Sequence, residues 1–154
     1  GALQKEIRLG DLILVQGAVR DEGTSRTYID SIYPAIPDFE LMNACVEAAE
    51  EEQIPAHVGM ARSHDSFYTD REDEIDALWV GRGVLGCDME TAALFVIGKL
   101  RGVKTASILN KVVEYEDNLE DNINNYTDGV NATVQGEKNE IHVALEALYR
   151  CSGK

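Results

Sequence analysis

The sequence contains few basic residues. Lysine and arginine number 14 against 28 aspartates and glutamates, which leaves a formal net charge of −14. A nucleic-acid-binding domain normally presents a basic face, and anionic membrane surfaces also attract clustered lysine and arginine. We therefore expect neither nucleic acid nor a membrane as a partner. The excess of acids indicates a soluble protein.

Long apolar runs and cysteines are also scarce. Hydrophobic residues make up 44% of the chain, yet no run approaches the length of a membrane span. The three cysteines form no CxxC pair, and Cys45 and Cys87 stand in apolar surroundings typical of small core residues. These features predict a reducing, cytoplasmic location. The early charges of GALQKEIRLGD predict no signal peptide.

Several well-known site motifs are missing. The sequence has no GxGxxG, no Walker-type phosphate loop and no GxSxG. His57, His64 and His142 are scattered without metal-ligand spacing, so no metal site is expected. The adjacent pair of His64 and Asp65 is the one alternative for a metal. Candidate site residues are therefore best sought at the ends of predicted strands.

Apolar strands and amphipathic helices alternate along the chain. The strands are almost continuously apolar, which is typical of a mostly parallel sheet covered by helices on both faces. We predict an α/β fold with three αβα layers and a mostly parallel or mixed sheet, as a single domain over residues 1–154. The predicted strands are 11–19, 55–63, 84–89 and 103–113. The predicted helices are 38–53, 70–83, 90–102 and part of 130–151. Residues 20–37 are predicted to form a loop, and residues 114–129 a loop or a short surface helix.

The stretch GVLGCDMETAALF, residues 83–95, places two carboxylates where an apolar strand meets an apolar helix. Ligands of α/β folds bind at the carboxyl ends of strands. Asp88 is either a ligand-binding residue or a plain helix N-cap. Glu90 lies between apolar segments, so we expect it to be partly buried and to need hydrogen-bond donors. The two neighbouring hydroxyls of a ribose would supply them, with Met89 packing on the sugar, and capping within the core is the competing interpretation.

Other strand ends carry aromatic and charged residues. Phe67, in ARSHDSFYTDRED, can stack on a planar heterocycle or anchor the loop in the core. Arg71 offers a planar hydrogen-bonding fork, or it pairs with Asp70 or Asp73 on the surface of the following helix. Arg20 and Arg26 can receive an anion, although neighbouring acids partly cancel their charge. Glu114, in KVVEYE, can close the far side of a pocket.

Taken together, these motifs resemble the nucleoside phosphorylases and, within them, the uridine phosphorylase branch. The matching stretches include GDLILVQGAVRDEGTSR, YPAIPDFELMNACVEAAEE, HVGMARSHDSFY and GVLGCDMETAALFVIGKLRGVKTASIL, and they cover essentially the whole chain. Asp-Met-Glu stands where the family has Glu-Met-Glu. The resemblance implies a phosphorylase/hydrolase-like fold, with this chain as the C-terminal portion and the N-terminal part missing. It also implies phosphorolysis of a nucleoside, with phosphate as co-substrate and no cofactor.

The resemblance implies roles for individual residues. Glu90 would be the catalytic ribose ligand, with Met89 pinning the sugar and Asp88 assisting. Arg71 stands in place of the glutamine that reads uracil in the family, so purine nucleosides remain an alternative to the favoured uridine. The implied base-binding residues are Gly1, Phe67, Arg71, Val112 and Val113.

The family's phosphate-binding segments, a GDPxR-type loop and Arg-x-Gly-Thr, precede the position of Gly1 and do not occur in this sequence. We therefore expect no phosphate site in this chain and little activity from it alone. Intact relatives form dimer-based hexamers, which implies a homo-oligomer or a complementary N-terminal chain. The alternative functions are a purine nucleoside phosphorylase, a nucleoside hydrolase of the same fold, and a non-catalytic fragment for nucleoside binding or assembly.

Overall fold

A computed structural model describes residues 1–112 and 119–152, with the backbone alone described for 119–130. In this part of the chain, no helix is both long and apolar enough to span a bilayer. The strands are β1 (Leu12–Asp21), β2 (Ala56–His64), β3 (Val84–Asp88) and β4 (Ile108–Asn110), and the helices are α1 (Phe39–Glu51), α2 (Glu72–Val80), α3 (Thr91–Leu100) and α4 (Leu119–Ser152), with a 3-10 turn at Ser25–Thr27.

The four strands form one mixed sheet in the order β3–β2–β1–β4. Strand β2 is parallel to both β1 and β3, whereas β4 is antiparallel to β1. This arrangement confirms the predicted α/β fold with a mostly parallel, mixed sheet. Because β4 runs in the opposite direction, Asn110 pairs with Leu12 at the amino end of β1.

Strand β1 is buried on both faces. Leu12 and Leu14 pack into a cluster with α1 and α4, whereas Ile13 and Val15 pack into a second cluster with α3. All four side chains are at most 1% exposed. Successive side chains of a strand point to opposite faces, so one strand contributes to both cores. The three predicted αβα layers are confirmed.

Helix α1 begins as the sequence predicts. The Asp38 carboxylate accepts a hydrogen bond from the backbone N–H of Leu41 at 3.0 Å and so caps the helix. Met42 and Cys45 lie on the buried face, and burial raises the pKa of the Cys45 thiol to about 11. The spacing of Phe39, Met42 and Cys45 in the sequence predicts that all three lie on one buried face, but Phe39 is 84% exposed, so the prediction is wrong for this residue. It is the first residue of the helix and points away from the core beneath the helix.

The predicted elements differ from the observed ones mainly at their ends. Strand β4 is shorter than 103–113, because the preceding residues bridge other elements. The carbonyl oxygen of Thr105 accepts from the N–H of Asp38, and that of Ser107 accepts from the N–H of Val15. Helix α4 is longer than predicted, since it begins at residue 119, within the predicted loop.

The first residues of the chain run along the outer edge of β3. The N–H of Leu3 donates to the carbonyl oxygen of Leu85 at 2.8 Å, and the N–H of Cys87 donates to that of Gly1 at 2.7 Å. A Cβ atom on Gly86 would lie 2.8 Å from the Gly1 carbonyl oxygen, so this close approach requires glycine. Gly1 is thereby held beside the carboxyl end of β3.

A network of hydrogen bonds joins β2, β3 and α3. The Ser63 hydroxyl donates to the Asp88 carboxylate at 2.6 Å and accepts from the backbone N–H of Ala92 at 2.9 Å. The second Asp88 oxygen accepts from the N–H of Thr91 at 2.8 Å. The Thr91 hydroxyl also lies 2.6 Å from that of Ser107, which precedes β4. Asp88 is therefore not the N-cap residue of α3, which is Glu90, but its carboxylate bonds to the first turn of the helix from two residues before the cap.

We expect Ser63→Ala to lower the free energy of unfolding by about 2 kcal/mol, because it leaves two partly or fully buried polar groups without a partner. Ser63 is fully buried. Urea unfolding followed by circular dichroism measures the change. Ser66→Ala is the matched control, since that hydroxyl is exposed and donates to the carbonyl oxygen of Tyr68. Its expected effect is below about 0.5 kcal/mol. Equal losses in the two variants would contradict a stabilising role for the network.

Candidate functional site

A groove of about 790 Å³ opens beside the carboxyl ends of β2 and β3. A cavity of this size suits a small organic ligand. The groove extends from these strand ends and the loop after β2 to β4 and one face of α4. The predicted site residues that line it are Gly1, Phe67, Asp88, Met89, Glu90 and Val112.

Glu90 is exposed, so the prediction that it is partly buried is wrong. It occupies the N-cap position of α3, with φ −125° and ψ −35°, and its carboxylate accepts from the backbone N–H of Met89 at 3.1 Å. The reason is that the Asp88 carboxylate bonds to the first turn of the helix, which leaves the Glu90 side chain to line the groove. Its carboxylate can therefore accept hydrogen bonds from a ligand there.

Apolar surface stands next to this carboxylate. Met89 is half-buried and lines the groove beside Glu90. Phe67 is 70% exposed and meets Tyr68 edge-to-face, with 5.1 Å between the ring centroids. An anchoring role for Phe67 in the core, which the sequence left open, is therefore excluded. Its ring offers the groove an apolar surface on which a planar group can pack.

Arg71 does not line the groove. Its guanidinium forms two hydrogen bonds to the Glu74 carboxylate, at 3.0 and 2.9 Å, on the surface of α2. This pairing raises the pKa of Arg71 and lowers that of Glu74. Arg71 thus pairs with an acid on the helix surface, but its partner is Glu74 and not the predicted Asp70 or Asp73. Its base-binding role stays a prediction with no described contact to the groove.

The side chains of Arg20 and Arg26 form hydrogen bonds within β1 and the loop that follows it. Arg20 is 8% exposed. Its guanidinium donates to the hydroxyl of Ser25 at 2.9 Å and to the carbonyl oxygens of Ile29 and Asp30 at 2.8 and 2.7 Å. Arg26 donates to the carbonyl oxygen of Arg20 at 2.9 Å. The possibility that Arg20 receives an anion is therefore excluded, because internal carbonyls and a hydroxyl take up its donors. Arg26 is exposed, and its possible anion role stays a prediction.

The groove also contains residues that the sequence did not single out. Leu109 and Asn110 of β4 line it, as do Glu137 and Glu140 of α4. Cys87 lines it too and is half-buried, so its predicted place in the core is wrong. The spacing of the two glutamates already places them on one side of a helix. Which side meets the groove depends on how α4 packs, and the sequence does not show that.

Two predicted residues, Val113 and Glu114, lie outside the described part of the chain. Within the described part, no group of three histidine, cysteine or acidic side chains is placed to hold a metal ion.

The described wall of the groove contains five carboxylates and neither lysine nor arginine.

The amino-acid sequence matches a known protein family and several of its members. Residues 1–142 match the Phosphorylase superfamily. The chain is 31% identical to uridine phosphorylase from Treponema pallidum, over 96% of this chain and 58% of that protein. It is 35% identical to guanosine phosphorylase from Halorubrum lacusprofundi, over 70% of this chain and 44% of that protein.

Solved structures agree with the sequence relatives. The crystal structure of uridine phosphorylase from Vibrio fischeri ES114 superposes with a TM-score of 0.90 at 46% identity, over 97% of this chain and 60% of that chain. The chain spans about half the length of the two sequence relatives. Since the family match covers residues 1–142 and the fold agrees throughout, the chain belongs to the phosphorylase superfamily, with uridine phosphorylases among its relatives.

Proposed function

We propose that the groove binds a nucleoside and forms part of a site that splits it with phosphate into a free base and a pentose 1-phosphate. The observation that carries the proposal is that Glu90, Met89 and Phe67 line one groove in a member of the phosphorylase superfamily. A carboxylate, a flexible apolar side chain and an aromatic ring match the three surfaces of a nucleoside, namely its diol, its sugar face and its base.

Sugar recognition rests on the exposed carboxylate of Glu90. A carboxylate has two oxygens and accepts hydrogen bonds from two donors at once. The 2′- and 3′-hydroxyls of a ribose present two donors side by side. Met89 is the adjacent residue and packs against the sugar. Asp88 is already bonded to Ser63 and Thr91, so we assign it to positioning Glu90.

The reaction replaces one bond at the C1′ carbon. A phosphate oxygen forms a bond to C1′ while the C1′–N bond to the base breaks, and the electron pair of that bond stays on the base nitrogen. The departing base takes up a proton. As the bond to the base weakens, the sugar gains positive charge, and the Glu90 carboxylate stabilises that charge more strongly than it stabilises the neutral ground state.

The identity of the base is not set by the family. Relatives carry the names uridine phosphorylase, guanosine phosphorylase and purine nucleoside phosphorylase. The uridine preference favoured by the sequence stays a prediction, and so does its purine alternative. Val112 lines the groove, as that preference requires, whereas Arg71 does not. The single-domain assignment and the cytoplasmic location also stay predictions.

We expect Glu90→Gln to weaken nucleoside binding by roughly tenfold or more, because it removes a charged acceptor of the ribose hydroxyls. Titration calorimetry measures the affinity, and the melting temperature should stay the same, since Glu90 is exposed. Glu50→Gln is the matched control, because Glu50 is an exposed residue of α1 outside the groove. A lower melting temperature with unchanged affinity would indicate a packing role instead.

We expect the 154-residue chain alone to release little base from a nucleoside in the presence of phosphate. A phosphate anion needs cationic or N–H donors, and the described wall of the groove has no lysine or arginine. A chromatographic assay for free base measures the release, with and without phosphate. Robust phosphate-dependent turnover by the chain alone would contradict this expectation.

Two further results of the same assay separate the alternative functions. Release that does not depend on phosphate would support a nucleoside hydrolase. Fusing to this chain the part of the Vibrio fischeri enzyme that the superposition leaves unmatched should produce phosphate-dependent release if the site is phosphorolytic. Nucleoside binding without turnover even in that fusion would support a non-catalytic binding fragment.

We also propose that the chain assembles, either with copies of itself or with a complementary N-terminal chain. Several large apolar side chains are exposed, among them Ile32 at 91%, Tyr149 at 76% and Leu145 at 62%. Apolar surface of this kind is typical of an interface. Light scattering coupled to size-exclusion chromatography should therefore give a mass above 17.0 kDa. A monomeric mass at every concentration tested, with no partner chain retained, would contradict this proposal.

A further inference from the structure

The groove wall contributed by α4 carries two carboxylates. Glu137 and Glu140 lie three residues apart on this helix and both line the groove. Neither carboxylate makes a hydrogen bond or an ion pair with another described residue. Glu140 is half-buried. A partly desolvated carboxylate without a donor is unfavourable, so a ligand that brings N–H donors to this wall would be stabilised there.

The pKa of Glu140 also indicates that hydrogen-bond donors from a ligand would stabilise this pair of carboxylates. Burial, together with the charge of Glu137, raises the pKa of Glu140. Both causes disfavour the charged form of the carboxyl group. A hydrogen-bond donor from a ligand acts in the opposite sense, because it favours the carboxylate. The pair is thus unfavourable in the empty groove and gains from a ligand with donors.

The cationic side chains near the groove are engaged elsewhere. Arg71 is bonded to Glu74 on the surface of α2. Arg62 pairs with Asp21 at 2.7 Å and lies 5.8 Å from the centre of the Trp79 ring. Neither side chain lines the groove. The described wall therefore offers carboxylate acceptors to the edge of a base and contains no lysine or arginine. The amino group of Gly1 also lines it and donates to the carbonyl oxygen of Cys87 at 2.7 Å.

Nucleobases differ in what their edges offer to such a wall. The pairing edge of uracil has one N–H between two carbonyl oxygens, so a carboxylate that approaches it meets two like partial charges. Hypoxanthine has one N–H beside one carbonyl oxygen. Guanine has an N–H directly beside an amino group, and these two donors can both bond to a single carboxylate in the bidentate manner of a guanidinium.

We propose that Glu137 and Glu140 form the base-reading wall of the groove and select a 2-amino-6-oxopurine nucleoside over uridine. This inference rests on the proposed nucleoside site and names the class of base that the site takes. It differs from the uridine preference that the sequence favoured, because that preference depended on residues near 112–113 and not on α4. Phe67 would pack on the face of the base, and α4 would read its edge.

Three nucleosides with the same ribose test the proposal on the full chain by titration calorimetry. Guanosine should bind most tightly, inosine roughly tenfold more weakly because it lacks the amino donor, and uridine most weakly. In the double variant Glu137→Gln/Glu140→Gln, the ratio of guanosine to inosine affinity should fall to near one. The control Glu50→Gln should leave that ratio unchanged.

The possible results separate this inference from the proposed function. If uridine binds as tightly as guanosine, or if the double variant keeps the guanosine preference while its melting temperature is unchanged, the base-reading role of α4 is overturned. The proposed function still stands in that case, provided that Glu90→Gln weakens all three nucleosides. If none of the three nucleosides binds, both the proposed function and this inference are overturned.

Discussion

The hydrogen bonds of the Asp88 carboxylate determine how the candidate site is arranged. One oxygen accepts from Ser63 at the end of β2, and the other accepts from Thr91 in the first turn of α3. Asp88 itself ends β3. The end of β2 is therefore fixed to the junction of β3 and α3, 25 residues further along the chain, at one carboxylate. The groove lies against this junction, so its position depends on the same bonds.

This constraint explains why two carboxylates only two residues apart behave differently. In a continuous strand, residues 88 and 90 would point to the same face. Strand β3 ends at residue 88 and α3 begins at residue 91, so the backbone turns between the two acids. The short side chain of Asp88 accepts from the N–H of Thr91 at the start of the helix and so satisfies one of its free donors. Glu90 is longer, stays exposed and lines the groove.

The sequence predicted those features that depend on neighbouring residues. The layered fold followed from apolar strands alternating with helices, and the cap of α1 followed from Asp38. Features set by contacts between distant residues were missed. The burial of Glu90 was inferred from its apolar neighbours in sequence, yet the turn between β3 and α3 decides it. A surface ion pair of Arg71 was one of two alternatives, but its partner is Glu74 and not Asp70 or Asp73, because the turns of α2 bring residues three apart together. The approach of α4 to the groove depends on its packing against α1 and β4.

The charge of the groove restricts the chemistry that it can support. Five carboxylates line the described wall, and they favour a sugar that becomes positive in the transition state. In the proposed reaction, the same carboxylates oppose two anionic species, the phosphate and the departing base. Two unit charges 4 Å apart interact by about 4 kcal/mol at an effective dielectric constant of about 20, so this opposition is not a minor effect. Under the proposed function, the cations that hold phosphate would therefore lie outside the described wall, and the base would leave as a neutral, protonated species. The acidic groove would then stabilise the sugar and the donor edge of the base, and a separate basic surface would bind phosphate.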